Sequence, residues 1–351
     1  MNTKEIAKKL LGREQSFVFS KKAEKTYKNK AVLVTGGGGS IGSEICRLLV
    51  RCQPSCIVIF DMYENCAFEL LDELCALPEL STKICIEIGS VQDAACLEAV
   101  FEKYSFDTVI HAAAHKHVPL MEECAAEAVK NNVFGTYNVC LTAEKYKAER
   151  FILISTDKAV NPVSVMGATK RLSEMIIKSF SDSKTVFSSV RFGNVLGSAG
   201  SALPLFLNRI ERGDPLTLTD KNMTRYFMTP SEAAGLVLEA GAFSRPGEIY
   251  VLDMGEQVKM YDLCIRLRDL TKSDADICIT GKRPGEKISE ELFLTDLVKS
   301  ENGKIYVEKE EPLQREAVEE KLLILREALN SGHNAYVKEA LKKAVPEYSY
   351  G

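Results

Sequence analysis

Six short β-branched runs, each followed by a longer stretch of helical periodicity, constrain most strongly what this chain can fold into. The runs are AVLVTG, SCIVIFD, KICIEIG, TVIHAAA, RFILIST and VFSSVRF, all between Lys30 and Phe192. Near-continuous apolar runs of this length read as strands buried on both faces, and the helical stretches between them are long enough for crossovers between parallel strands. The pattern predicts an α/β fold, a Rossmann-like doubly wound parallel sheet with its ligands at the carboxyl ends of the strands. Beyond Phe192 the loop-like stretches GSAGSALP, TLTDKNMTRYF and GKRPGEK separate helical segments such as EKLLILREALNS. They predict a smaller, mixed α/β, substrate-binding lobe. The predicted division is an N-terminal arm or helix over residues 1–29, the nucleotide-binding sheet over 30–192, and mainly the second lobe over 193–351, with the two lobes free to interleave.

With 351 residues, 46% of them apolar, a sizeable core is readily buried. Lys plus Arg (45) against Asp plus Glu (49) gives net −4, and no segment interleaves basic with aromatic residues. That argues against nucleic acid as a partner. The cysteine count of 11 is odd and no C-x-x-C occurs, which fits reduced thiols in a cytoplasm. The first thirty residues carry charges every few positions, and no run of 18 apolar residues exists anywhere. Neither secretion nor a membrane span is expected.

The first run leads directly into Thr35-Gly36-Gly37-Gly38-Gly39-Ser40-Ile41-Gly42 and then a helical stretch. Gly36, Gly39 and Gly42 give G-x-x-G-x-x-G spacing, which allows a tight turn, close approach of backbone to a pyrophosphate, and close helix–strand packing. The start of the helix, with Ser40 and Ile41, then offers amide donors to the phosphates. Asp61 ends the second run, placed to accept hydrogen bonds from ribose hydroxyls and to repel a 2′-phosphate. The expected cofactor is NAD. Ser90 and Val91 after the third run, and Ala112, Ala113 and Ala114 after the fourth, are small or apolar residues beside which a dinucleotide can lie.

After the fifth run come Thr156, Asp157 and Lys158, then Met166 and Lys170 at a predicted helix start. Oxidation of an alcohol by a nicotinamide needs a base, a donor to the oxygen, and a cation to fix the cofactor ribose. Thr156 and Lys170 can fill the second and third roles. The histidines 111, 115 and 117 with Cys124 lack a standard ligand spacing, so no metal is expected.

These features resemble the extended short-chain dehydrogenase/reductases. The stretches TGGGGSIGSE, HAAAHKHVPLMEE, NNVFGTYNV, STDKAVNPVSVMGATKR, VRFGNVLGSAGSALPLF, MTRYFMT and RPGEKISEELF resemble more narrowly the UDP-N-acetylglucosamine 4,6-dehydratases of the polysaccharide-biosynthesis branch. The resemblance runs over about residues 10–345. Where the superfamily has a tyrosine this chain has Met166, a thioether that cannot exchange a proton. Within the branch a methionine there is similar to the group that retains configuration at sugar carbon 5 and is often fused to membrane segments. LLGRE near the N-terminus resembles the segment that begins the soluble portion of such proteins, so the chain reads as a short cytoplasmic relative.

The resemblance implies an internal redox cycle: carbon 4 is oxidised, carbon 5 loses a proton, water leaves from carbon 6, and the hydride returns to carbon 6. It implies acid–base work for Asp157 and proton removal at carbon 5 for Lys158, which requires a lysine pKa depressed by burial or by Lys170. It places Lys116 and His117 beside the sugar. For the UDP-sugar substrate it implies Asn194, Arg225, Arg283 and Glu286 as ligands of the uridine diphosphate or sugar. It also implies a homo-oligomer paired through the helices after the fourth and fifth strands. Two other readings stay open: a UDP-sugar 4-epimerase, which Met166 and the Asp-Lys pair oppose, and a non-catalytic NAD-binding sensor, which the Thr156-Asp157-Lys158 and Lys170 set opposes.

Overall fold

A computed structural model describes residues 3–12 and 19–349. Of the LLGRE segment, Arg13 and Glu14 lie outside the described residues. Strands β1 (Ala31–Thr35), β2 (Cys56–Asp61), β3 (Lys83–Ile88), β4 (Thr108–His111), β5 (Arg150–Ile154) and β6 (Val186–Arg191) coincide with the six apolar runs. They pair in parallel in the order β3-β2-β1-β4-β5-β6. Successive strands are added on one side of β1 as far as β3 and then on its other side from β4, and this switch opens a crevice at the carboxyl ends of β1 and β4. The central strands β1, β2 and β4 are almost wholly buried, whereas β3 is the edge strand and only part-buried.

The sheet does not end at Phe192. Ile249–Leu252 adds a seventh parallel strand beside β6, and Ile305–Glu308 and Leu297–Lys299 extend it antiparallel. Residues beyond 193 therefore build part of the large sheet, and the lobes interleave along the chain. Helix Pro230–Phe243 is buried along most of its length, packed against helices Ser40–Leu49 and Lys21–Tyr27. It also lies so close on the sheet that a Cβ on Gly241 would lie 2.4 Å from Ile152 Cδ1 of β5.

The described part of residues 1–29 is two helices that join different cores. Helix Lys21–Tyr27 packs under the sheet, where the Tyr27 hydroxyl donates to Leu238 O at 2.8 Å. Helix Thr3–Leu11 puts Ile6, Ala7 and Leu10 among Leu203, Phe206 and Leu263 of the smaller lobe. That lobe holds helices Ala202–Arg212 and Met260–Thr271 and three short two-stranded ladders.

On the other face of the sheet, helix Val165–Ser179 is buried at every one of its 15 residues. Its cover comes from helices Arg315–Asn330 and Asn334–Ala344 together with helix Val118–Glu123 and the 125–145 segment. Among the described residues no helix is long and apolar enough to cross a membrane.

Candidate functional site

The turn after β1 is built for close approach. Gly36 has φ +64°, and a Cβ there would lie 2.6 Å from Ala113 N. A Cβ on Gly42 would lie 2.2 Å from Gly36 O, so this glycine lets the helix close on the turn. Helix Ser40–Leu49 starts at Gly39 with no side-chain cap, leaving its first amides available to an anion. Ser40 Oγ accepts from Ala199 N–H at 2.9 Å, which ties a loop of the smaller lobe to this helix start.

An open cleft runs from this turn across the sheet. Gly36, Gly39, Asp61, Ser90, Val91, Ala112, Ala113 and Ala114 line it, as do Tyr63 and Asn131, which the sequence did not single out, and His115, which it weighed only for a metal. Ser40, Ile41, Gly42 and Lys170 are not on its wall. The Asp61 carboxylate accepts from Gly38 N–H (2.9 Å) and Tyr63 N–H (3.0 Å), one bond per oxygen, which orients it and leaves lone pairs for hydroxyl donors. Asn131 sits in a π-helical turn, Val129–Phe134. The neighbouring Asn132 bridges His115 and Thr169 through its side chain, joining the cleft wall to helix Val165–Ser179. A π-turn is the kind of local irregularity that functional sites retain.

Past β5 the chain makes a single 3₁₀ turn, Asp157–Ala159, and enters helix Val165–Ser179 behind its cap, Ser164. The helix packs so tightly on this turn that a Cβ on Gly167 would lie 2.3 Å from Lys158 O. Thr156 Oγ1 donates to Asp157 Oδ1 at 2.9 Å. Lys158 Nζ donates to Asp157 Oδ1 (2.9 Å) and Asn194 Oδ1 (3.0 Å), with Glu290 Oε1 at 3.8 Å. Asp157 Oδ2 and Glu290 Oε2 are both buried without a hydrogen-bond partner. Met166 is buried in the apolar core one helical turn before Lys170.

The two lysines differ from expectation. Burial pulls the Lys158 ammonium down, but the carboxylates of Asp157 and Glu290 together outweigh burial and hold its pKa above the usual lysine value. A depressed Lys158 is thus corrected: in this site it is a cation. Burial instead lowers Lys170 to about 8, against a smaller opposing pull from Glu174. Lys170 Nζ donates to Ile154 O at 2.7 Å.

Of the residues expected to hold substrate, Asn194 is part of the lysine cluster. Lys116 Nζ lies 3.5 Å from Ser198 Oγ, and the His117 ring covers Gly200. Arg225 is 7% exposed and gives three of its five N–H donors to backbone carbonyls, Thr224 O, Ile288 O and Lys287 O. These bonds strap it to the segment leading to Glu290. Arg283 is exposed, and Glu286 Oε2 accepts from the backbone N–H of Arg283 at 3.2 Å. The turn between them is seated by Gly285 (φ +74°) against Ser164 and Glu122, at the start of the helix that carries Lys170. His111 is a neutral core side chain: burial, then Lys170, lower its pKa to about 3, and its ring nitrogens pair with Thr35 and Thr136.

Glu290 is the member of this cluster that sequence reasoning missed. The motif RPGEKISEELF contains adjacent glutamates, of which Glu291 is exposed and bonded to Asn161 while Glu290 is buried. Only the tertiary fold tells them apart.

Comparison with known proteins places this constellation in a family. The capsular polysaccharide biosynthesis protein CapD of Staphylococcus aureus is 48% identical over 289 residues, covering 81% of this chain and 48% of that protein. The probable polysaccharide biosynthesis protein EpsC of Bacillus subtilis is 48% identical over 299 residues, 84% of this chain and 50% of that protein. The chain spans about half the length of these curated relatives. The solved structure of Pen from Bacillus thuringiensis superposes with a TM-score of 0.75 at 33% identity, covering 83% of this chain and 92% of that one. The family described as polysaccharide biosynthesis protein matches residues 32–310, a span holding the glycine turn, the Thr156–Lys170 cluster and Glu290. This chain belongs to the polysaccharide biosynthesis protein family.

Proposed function

We propose that the chain is a nucleotide-sugar-modifying enzyme of polysaccharide biosynthesis, and that its reaction is the dehydration of UDP-N-acetylglucosamine to the 4-keto-6-deoxy sugar, with configuration at carbon 5 retained. NAD is the cofactor. The cradle at Gly36 and Ala113, the uncapped helix start and the oriented Asp61 carboxylate fit its diphosphate and adenosine ribose. When bound, NAD supplies a reversible oxidation of carbon 4, which acidifies the carbon 5 proton.

The observation that carries the reading is the Thr156-Asp157-Lys158 cluster, an acid–base set at the carboxyl end of β5. Thr156 can hold the carbon 4 oxygen while its own proton rests on Asp157. Met166, buried in the apolar core beside the cluster, offers no proton. Asp157 is then the group placed to take the carbon 4 hydroxyl proton through Thr156 and to serve the departing hydroxyl, and Lys158 the group placed for carbon 5. Lys170 fixes the cofactor ribose. Lys116, His117, Asn194, Arg283 and Glu286 are assigned to the UDP-sugar, with Arg225 supporting them through the 287–290 segment.

The test is to incubate purified protein with UDP-N-acetylglucosamine in heavy water, without added NAD, and to follow the sugar by NMR and mass. Loss of water with solvent deuterium at carbon 5 is the expected outcome, and the ring couplings report retention or inversion. A carbon 4 epimer without deuterium would make the protein an epimerase. Unchanged sugar, with NAD demonstrably bound, would overturn this substrate assignment and favour another nucleotide sugar or the sensor reading.

A further inference from the structure

The cationic state of Lys158 poses a chemical problem, because an ammonium cannot remove a proton from carbon. Its proton must first go elsewhere. The neighbours of Lys158 Nζ are Asp157, Asn194 and Glu290. Asn194 offers an amide oxygen, which is not a base, and Asp157, which accepts from Thr156 and Lys158 through Oδ1, is the group assigned to the carbon 4 hydroxyl proton. Glu290 is 5% exposed, its Oε1 lies 3.8 Å from Lys158 Nζ and 3.9 Å from Arg225 Nη2, and its Oε2 has no partner.

That position is held from outside the cluster. Gln257 Nε2 donates to Glu290 O at 3.0 Å, and Arg225 grips the carbonyls of Lys287 and Ile288 just before it. A buried carboxylate with an unpartnered oxygen carries a desolvation cost. The charged and titratable groups facing it are Lys158, Asp157, Arg225 and Lys287. Burial, the largest influence, raises its pKa, and the nearby Asp157 raises it further, against the cations. Lys287 is diverted, since its Nζ donates to Val160 O at 2.9 Å.

We infer that Glu290 is the proton partner of Lys158, the carboxylate that receives the ammonium proton so that the amine can act at carbon 5. This rests on the dehydratase reading for its chemistry, though the pairing itself is a property of the resting protein. The protons balance. An N–H bond of Lys158 breaks as an O–H bond forms on Glu290. The neutral amine then takes the carbon 5 proton, and that C–H electron pair forms the C5=C6 double bond as the C6–O bond breaks. The departing hydroxide takes the carbon 4 proton from Asp157 and leaves as water. As carbon 6 regains the hydride, Lys158 gives a proton to carbon 5 and Glu290 returns its proton to Lys158, so that Lys158 ends as an ammonium and Asp157 and Glu290 as carboxylates, as they began.

The experiment has two readouts. The first is the pH dependence of lysine acylation at Lys158, followed by peptide mass spectrometry on the whole folded protein. Glu290→Gln is expected to lower the pH at which Lys158 becomes reactive by about a unit, because an opposing charge is removed. The second is turnover of UDP-N-acetylglucosamine. Glu290→Gln is expected to lower kcat about a hundredfold or more with little change in KM, and Glu290→Asp to recover part of the loss. An unchanged Lys158 profile in Glu290→Gln, with or without lost turnover, would overturn the pairing, as would turnover within about twofold of the parent. Circular dichroism melting identifies a variant that fails to fold, in which case Glu290→Asp, with its carboxylate drawn back from Lys158, must itself shift the acylation profile. If the parent protein turns over no sugar, the dehydratase reading fails while the acylation profile still decides the pairing.

Discussion

At the scale of single residues, two neighbouring lysines have their pKa values moved in opposite directions by what surrounds them. Lys158 has two carboxylates beside it and keeps its proton, while Lys170 has a backbone carbonyl and the more distant Glu174 and is brought down to about 8. The sign follows for folding. Between about pH 8 and the ordinary lysine range the unfolded chain binds more protons than the folded one, so the cost of burying Lys170 is relieved as pH rises through that window. It follows for binding too. Below about pH 8 Lys170 is a donor-rich cation suited to ribose hydroxyls, and above it a neutral amine. NAD affinity, measured by titration calorimetry on cofactor-free protein, is expected to weaken as pH rises through about 8. Lys170→Met should lose on the order of tenfold or more at neutral pH and become flat across the same range. A methionine variant that keeps the parent's pH dependence would remove Lys170 from the cofactor site. The candidacy of both lysines was legible from their motif positions, but their charge was not, because Glu290 lies 132 residues beyond Lys158 in the chain.

At the scale of elements, the chemistry rests on a buried charge network joining three of them. Arg191 of β6 is fully buried and pairs with Glu174 of helix Val165–Ser179 at 2.7 Å and with Glu308 of strand Ile305–Glu308 at 2.6 Å. Glu174 also accepts from Ser155 Oγ at 2.6 Å, which fixes the end of β5 immediately before Thr156. Burial alone would raise the Glu174 carboxyl, but Arg191, Arg171 and Ser155 together hold it below its ordinary value. Its contribution is therefore present above the ordinary glutamate range and is lost as pH falls through the lowered value. Arg191→Met is expected to cost about 3–5 kcal/mol in denaturant unfolding, because Glu308 is left buried without its cation and Glu174 keeps only Arg171, at 3.4 Å. A cost under about 1 kcal/mol would show that the network can rearrange. The β-branched runs announced β1 to β6, since a strand buried on both faces writes its environment into its own residues. Ile249–Leu252 passed unnoticed: it is four residues long and enters from a turn at Pro246-Gly247 (φ +75°) within a stretch that reads as loop and helix.

At the scale of the whole molecule, the two C-terminal helices complete the face of the sheet that helix Val165–Ser179 occupies. Leu341 is fully buried in this core together with Leu172 and Ile176. Because the cover is part of the same chain, Leu341→Ala is expected to cost about 2–5 kcal/mol while leaving the molar mass by light scattering unchanged. A change of oligomeric state with little loss of stability would place the helix pair at a subunit contact instead. What the sequence by itself determined was local. The glycine turn, the strand runs and the Thr156-Asp157-Lys158 order each depend on residues close together in the chain, where sterics and periodicity act directly. The tertiary structure alone decided which of two adjacent glutamates turns inward, that Arg225 straps a loop, that Lys158 keeps its proton, and that the lobes interleave. Burial and electrostatic coupling depend on distance through space, and the groups that set them here lie up to more than a hundred residues apart in sequence.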